Sequence, residues 1–410
     1  MSFDTLSAPA AWPGASATPE ASPRAAYLAR AAAFRAQSRA RSAEALRQSA
    51  HGLPTYNVLL CSANRHNFLP AHPATDAQFY EQVMEHRDWA GMDEHEETVY
   101  TMTDFTGDQS FLADIQTRPR VFCTLHLGSY RLINHFLGRH GVRFTLVVDN
   151  ATLQNQGDKF LALREASALY QDCDMRILNA ESANIGLQMM REVKAGRSLL
   201  FYIDGNTGVG GMSRQDEKLT VIPFLGRQIF ARKGIAFLAH VTQCPIVPVA
   251  SFRRSEADYE MHFFPPVVPD AQQPREAFAV ATTQHIFGLF ETLLRRYPEQ
   301  WEGWLYLNHF VDQAALRQAQ EALPAPAGLP TEAVFNQARY GLFYQAERPQ
   351  LFDRYTYQSF NVSAQLVGLL QNLATLPAAV RQSFAQTPVY QDLCRRQVLV
   401  AAPAPKAPAS

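Results

Sequence analysis

Between Arg118 and Tyr297 the chain alternates short apolar runs with helical stretches, and this alternation limits the fold more than any other feature of the sequence. The runs at 121–125, 144–148, 176–178, 198–203 and 246–252 read as strands, because almost every residue in them is apolar and a strand of that kind must be covered on both faces. Helices are expected between them at 130–140, 158–170, 182–194 and 233–242, and a long one over 275–297 ends at Pro298. A short hairpin is expected over 219–230, turning at Leu225, Gly226 and Arg227. The fold class that follows is α/β, a layered sheet with helices on both faces and helical extensions at either end.

The 410 residues, 47% of them hydrophobic, suffice for one large core or two ordinary ones. The expected layout is a flexible start with an arginine-rich helix (1–50), a mostly helical region (51–117), the α/β core (118–312), a helical, aromatic-rich C-terminal extension (313–400) and a disordered tail (401–410). Thirty-seven Lys and Arg against 38 Asp and Glu leave a formal charge of -1, so no global positive field gathers nucleic acid. The five cysteines are widely spaced and form no CxxC, which argues against a disulfide framework or a thiolate metal site and for a reducing cytoplasm. No run approaches the roughly 18 apolar residues of a membrane span. Peripheral contact with the inner face of a membrane would come from the arginine-rich helix, which otherwise packs on the body as a solvated element, or from the hairpin at 219–230 and the basic residues around it. The acidic cluster Asp93, Glu94, Glu96 and Glu97 reads as a solvated loop.

Three segments carry the candidate chemistry. The first strand runs into TLHLGSYR, which sets His126 at a strand's carboxyl end before a helix, the position at which open α/β sheets bind ligands. A neutral imidazole there can take a proton from an attacking hydroxyl or amine, and the backbone N–H groups near Gly128 and Ser129 are expected to face developing negative charge. Gly128 would also admit a close substrate approach. Taken alone, a histidine after a strand is more often a hydrogen-bonded core residue. A second strand delivers Asp204 and Gly205 into the turn of SLLFYIDGNTG, and Arg227, Arg232 and Lys233 gather around the hairpin. No phosphate loop, dinucleotide fingerprint or GxSxG elbow is present in the sequence.

In order and spacing these segments, with VVDNATLQNQGDKFLALREA (147–166), CPIVPVA (244–250) and RYPEQWEGW (296–304), resemble the lysophospholipid acyltransferase superfamily, and within it the bacterial lipid A late acyltransferases of the lauroyl and myristoyl type. The resemblance covers roughly half the chain, from Arg118 to Asp312. It implies transfer of an acyl group from an acyl carrier protein or coenzyme A thioester to a hydroxyl or amine, with the thioester as co-substrate and no metal or redox cofactor. It also implies that the basic hairpin meets the acceptor, and that Asp204 and Gly205 shape the cleft.

The sequence departs from that family at one point. The family follows its histidine, after four residues, with Asp or Glu, and here that place holds Arg131. A guanidinium has only donors and cannot hold an imidazole in its working tautomer. Another group, such as Asp204, Glu165 or a main-chain carbonyl, would have to orient His126. Arg131 itself would hold an anionic part of the acceptor or form a structural ion pair. The expected function is accordingly an acyltransferase with His126 as base and a small-molecule or lipid acceptor, and the alternative is a catalytically silent acyl-carrier or lipid-binding module.

Overall fold

The computed structural model describes residues 22–47, 52–154, 174–205, 207–208, 216–322, 330 and 332–402. Its centre is a seven-stranded sheet in the order β1-β9-β8-β2-β5-β3-β4. The strands are β1 (Thr103–Gly107), β2 (Val121–Thr124), β3 (Phe144–Val148), β4 (Met175–Asn179), β5 (Ser198–Tyr202), β8 (Ile246–Ser255) and β9 (Asp258–Phe263). All neighbours pair in parallel except β8 and β9, which form an antiparallel hairpin. Five strands stand within a few residues of their expected positions. β1 and β9 are additional. They form the sheet edge that the sequence pattern does not mark, because TDFTG holds a single large apolar residue and DYEMHF alternates polar with apolar ones.

Side chains leave β2 alternately to the two faces. Val121, Cys123 and Leu125 join a core with Leu199, Ile246, Phe290 and Trp301, whereas Phe122 joins the opposite one with Phe136, Leu200 and Val247. Both faces of the central strand are thus dry, as a run without polar residues requires. One face is covered by the helices Gly234–Thr242 and Arg275–Arg296, and the other by α1 (Pro23–Arg47) and α5 (Leu132–Arg139). The expected helix at 158–170 lies outside the described residues.

Helix α1 settles against the body through Tyr27 and Ala31. Four of its arginines are paired rather than held out as a free positive face. Arg30 pairs with Glu96 at 2.7 Å, Arg39 with Glu85 at 2.9 Å and Arg41 with Asp88 at 3.0 Å, and Arg35 lies between Glu85 and Glu256. The acidic cluster is likewise divided. Asp93, at the end of α3 (Asp76–Asp93), and Glu94 are buried, against the expectation of a solvated loop, because the buried Arg253 awaits the first and the half-buried Arg131 the second.

The hairpin forms as β6 (Leu219–Phe224) and β7 (Arg227–Arg232), with Leu225 and Gly226 at φ +49° and +81°. Beyond Asp312 the expectation of helix holds only in part. Helices Gln313–Glu321, Ala364–Asn372, Ala378–Ala385 and Pro388–Arg395 form, but the aromatic-rich stretch builds an antiparallel meander of β11 (Tyr340–Gln345), β12 (Arg348–Asp353) and β13 (Gln358–Asn361). Its first turn places Ala346 and Glu347 at φ +46° and +62°, a left-handed pair made without the usual Asn-Gly signal. A further pair, β10 (Ala333–Phe335) with β14 (Leu399–Ala401), takes in Ala401, the first residue of the expected tail. Phe343, Phe352 and Tyr357 pack into the main core.

Candidate active site

His126 stands two residues beyond β2, and Asp204 lies in the short turn Ile203–Gly205 beyond the neighbouring strand β5. Parallel neighbours point their carboxyl ends the same way, so the sheet itself brings the two together. Asp204 Oδ1 lies 2.8 Å from His126 Nδ1, and Oδ2 accepts the backbone N–H of His126 at 2.9 Å. Oδ2 also accepts the indole N–H of Trp301 at 2.7 Å. A carboxylate filled by donors places the ring proton on Nδ1, which leaves Nε2 as the unprotonated nitrogen. Among the described residues nothing hydrogen-bonds Nε2. The carboxylate beside the ring thus comes from the turn after β5.

The aspartate is 1% exposed and the histidine side chain 24%. Burial opposes protonation of the ring, but the charge and hydrogen bond of Asp204 outweigh it and raise the His126 pKa above the ordinary histidine value. Burial would by itself raise the Asp204 pKa. The imidazole, the indole and the backbone N–H lower it instead, so this carboxylate stays ionised. Three tyrosines surround the ring. Tyr202 stacks on it at 4.8 Å with planes 27° apart, Tyr130 meets it edge-on at 4.8 Å, and the Tyr306 hydroxyl lies 3.3 Å from Nδ1.

The segment at 298–302 fastens the histidine loop. Gly128 N donates to Gln300 O at 2.9 Å and Glu302 N to His126 O at 3.0 Å. The Gln300 side chain accepts from Arg253 N and donates to Arg253 O, clamping the end of β8. Sequence reading singled out this Pro-Glu-Gln-Trp segment but gave it no role; its role is to join β2, β8 and Asp204.

The other candidates fall differently. The backbone N–H of Gly128 is spent on Gln300, and at φ +57° a Cβ there would come within 2.6 Å of Ser251 O, so this glycine allows close packing on β8 rather than a substrate approach. Ser129 is buried and donates to Asp93, and α5 begins only at Leu132. The expectation that these two residues face developing charge gives way to a packing role. Asp93 also takes Arg253 at 2.8 Å and Tyr27 at 2.6 Å, which ties the loop to α1 and β8. Arg131 forms an ion pair with Glu94 and lies 5.4 Å from the Tyr130 ring, which is the structural pairing rather than an open anion fork.

Gly205 closes the turn after Asp204 and accepts the Thr207 hydroxyl on its carbonyl at 2.9 Å. The three hairpin cations diverge. Arg227 Nε donates to Asn67 O at 3.0 Å, Lys233 pairs with Glu276, and the Arg232 guanidinium lies against Gly208 and 3.7 Å from Asp216. Of these, Arg232 meets the stretch that follows Asp204. Glu165 and Asn206 lie outside the described residues. Cys123 is buried in β2, and burial pushes its thiol up, away from the reactive thiolate.

A family model described as bacterial lipid A biosynthesis acyltransferase matches residues 91–308, a span that takes in His126, Asp204, the hairpin and the segment at 298–302. No curated protein matches the chain.

Proposed function

The chain belongs to the bacterial lipid A biosynthesis acyltransferase family, and from that premise we propose that it moves an acyl group from an acyl carrier protein or coenzyme A thioester to an amine or hydroxyl on a small-molecule or lipid acceptor. The observation that carries this reading is the Asp204–His126 pair, with Nδ1 on the carboxylate at 2.8 Å. His126 Nε2 takes the acceptor proton as its oxygen or nitrogen bonds to the thioester carbonyl carbon. The C–S bond then breaks, and the thiolate leaves with the proton held by the imidazolium. Asp204 and the stacked Tyr202 ring favour that imidazolium.

Arg232, beside the loop after Asp204, is the cation best placed to meet an acidic acceptor. Gly205 leaves that turn without a side chain. Arg227 and Lys233 serve the hairpin's docking, and Arg131 acts through the loop that it braces. Among the described residues no helix is long and apolar enough to cross a membrane, so an acceptor carried in a membrane would be met at its surface.

The test is to incubate the protein with acyl carrier protein and coenzyme A thioesters and a panel of amine and alcohol acceptors. Thioester consumption with acyl transfer, lost in His126→Ala, is the expected result. Binding of thioester with no turnover under any pairing would turn the reading toward a silent lipid-binding module.

A further inference from the structure

We infer that Trp301 is a positioning residue for this reaction, its indole N–H fixing the plane of the Asp204 carboxylate so that Oδ1 stays on the imidazole. The inference rests on reading His126 and Asp204 as the base assembly. A carboxylate turns readily about its terminal bond, where torsional wells are broad, and only its hydrogen bonds set its plane. Asp204 has three short ones, and two of them come from His126 itself, through Nδ1 and the backbone N–H. The Nδ1 bond moves with the ring and cannot hold it, and the backbone N–H belongs to the same loop as the histidine. Among the described residues the indole is the one donor under 3 Å that reaches Asp204 from an independent element. The Tyr306 hydroxyl stands off at 3.5 Å.

The indole is well fixed for the task. Its ring meets Phe224 at 5.7 Å and Trp304 at 5.0 Å, both edge-on, and is 1% exposed. Trp301 stands opposite Leu127 in a short antiparallel bridge, so its flanking residues Gln300 and Glu302 pin the histidine loop by their main chain while its own side chain holds the aspartate. Gly303 makes this geometry available: a Cβ there would lie 2.2 Å from Trp301 ring carbons. An indole also suits the role chemically, since it donates one hydrogen bond, accepts none and does not titrate.

The experiment compares Trp301→Phe with Trp89→Phe. Trp89 is 2% exposed and donates to the Tyr27 hydroxyl at 3.0 Å, away from Asp204, so it reports the cost of losing a buried indole alone. In Trp301→Phe, kcat is expected to fall roughly ten- to a hundredfold, and the His126 titration, followed by NMR of the ring, moves down toward the ordinary histidine value. Trp89→Phe lowers thermal stability and leaves that titration where it was. A Trp301→Phe protein with kcat within twofold of the parent and an unmoved or higher His126 pKa overturns the inference.

Should Trp301→Phe fail to fold, the intact protein still decides, because the Trp301 indole N–H resonance must shift as His126 titrates. An indole resonance indifferent to that titration counts against the role. The two NMR readouts need no turnover, so a coupling that persists in a protein without acyl transfer would separate failure of the functional reading from failure of this one.

Discussion

Two ion pairs hold opposite ends of the segment from His126 to Arg131, and exposure does not distinguish them: His126 and Asp204 are 24% and 1% exposed, Arg131 and Glu94 22% and 6%. What separates them is the cation. A guanidinium stays charged at every accessible pH, so Arg131 cannot exchange a proton and can only brace. An imidazole changes charge near neutrality, so the His126–Asp204 pair has two states, and the protein sets the balance between them. In the family pattern a single carboxylate in the loop orients the histidine. Here the loop position is given to bracing, and a neighbouring strand supplies the carboxylate.

Changes that treat the two pairs alike break the comparison most sharply. Asp204→Asn keeps the volume and removes the charge, and turnover is expected to fall by about 100- to 10,000-fold with the fold retained, as single-turnover acyl transfer and circular dichroism would record. Glu94→Gln has the opposite profile. It leaves the Arg131 guanidinium unpaired and costs about 2 kcal/mol in urea unfolding, discounted for partial exposure, while turnover falls less than tenfold.

Arg131→Met tests the electrostatic link between the pairs. The guanidinium disfavours the imidazolium, so its removal should raise the acid limb of kcat/KM by less than about one pH unit. The smallest effect belongs to Arg41→Ala, which deletes an exposed partner of Asp88 on α1 and should change stability by less than about 0.5 kcal/mol.

The same contrast explains what the sequence made legible. The α/β order could be read because β2, β3, β5 and most of β8 are largely apolar, and such runs have few alternatives. His126 and Asp204 could be marked because each ends a strand. Their contact could not be deduced from spacing, since it depends on β2 lying beside β5, a fact of sheet order that sequence separation does not encode. The tyrosine cage is hidden for a similar reason: Tyr130, Tyr202 and Tyr306 come from three distant segments and look like ordinary core aromatics. Arg131 misled in a different way. Its partner Glu94 sits in a run of acids that reads as solvated, and only the fold buries it. The meander beyond Tyr340 was missed because its Ala346-Glu347 turn uses residues that rarely adopt positive φ.

The central claim is that a carboxylate borrowed from a second strand makes His126 a base. The pH dependence of kcat/KM for acyl transfer, measured on the parent and on Asp204→Asn, tests it most directly. A neutral imidazole is the active form, so the parent's rate should fall on the acid side with an apparent pKa above the ordinary histidine value of about 6.5. In Asp204→Asn that limb should move to lower pH as the raising influence is lost. An acid limb at the same pH in both proteins would contradict the account.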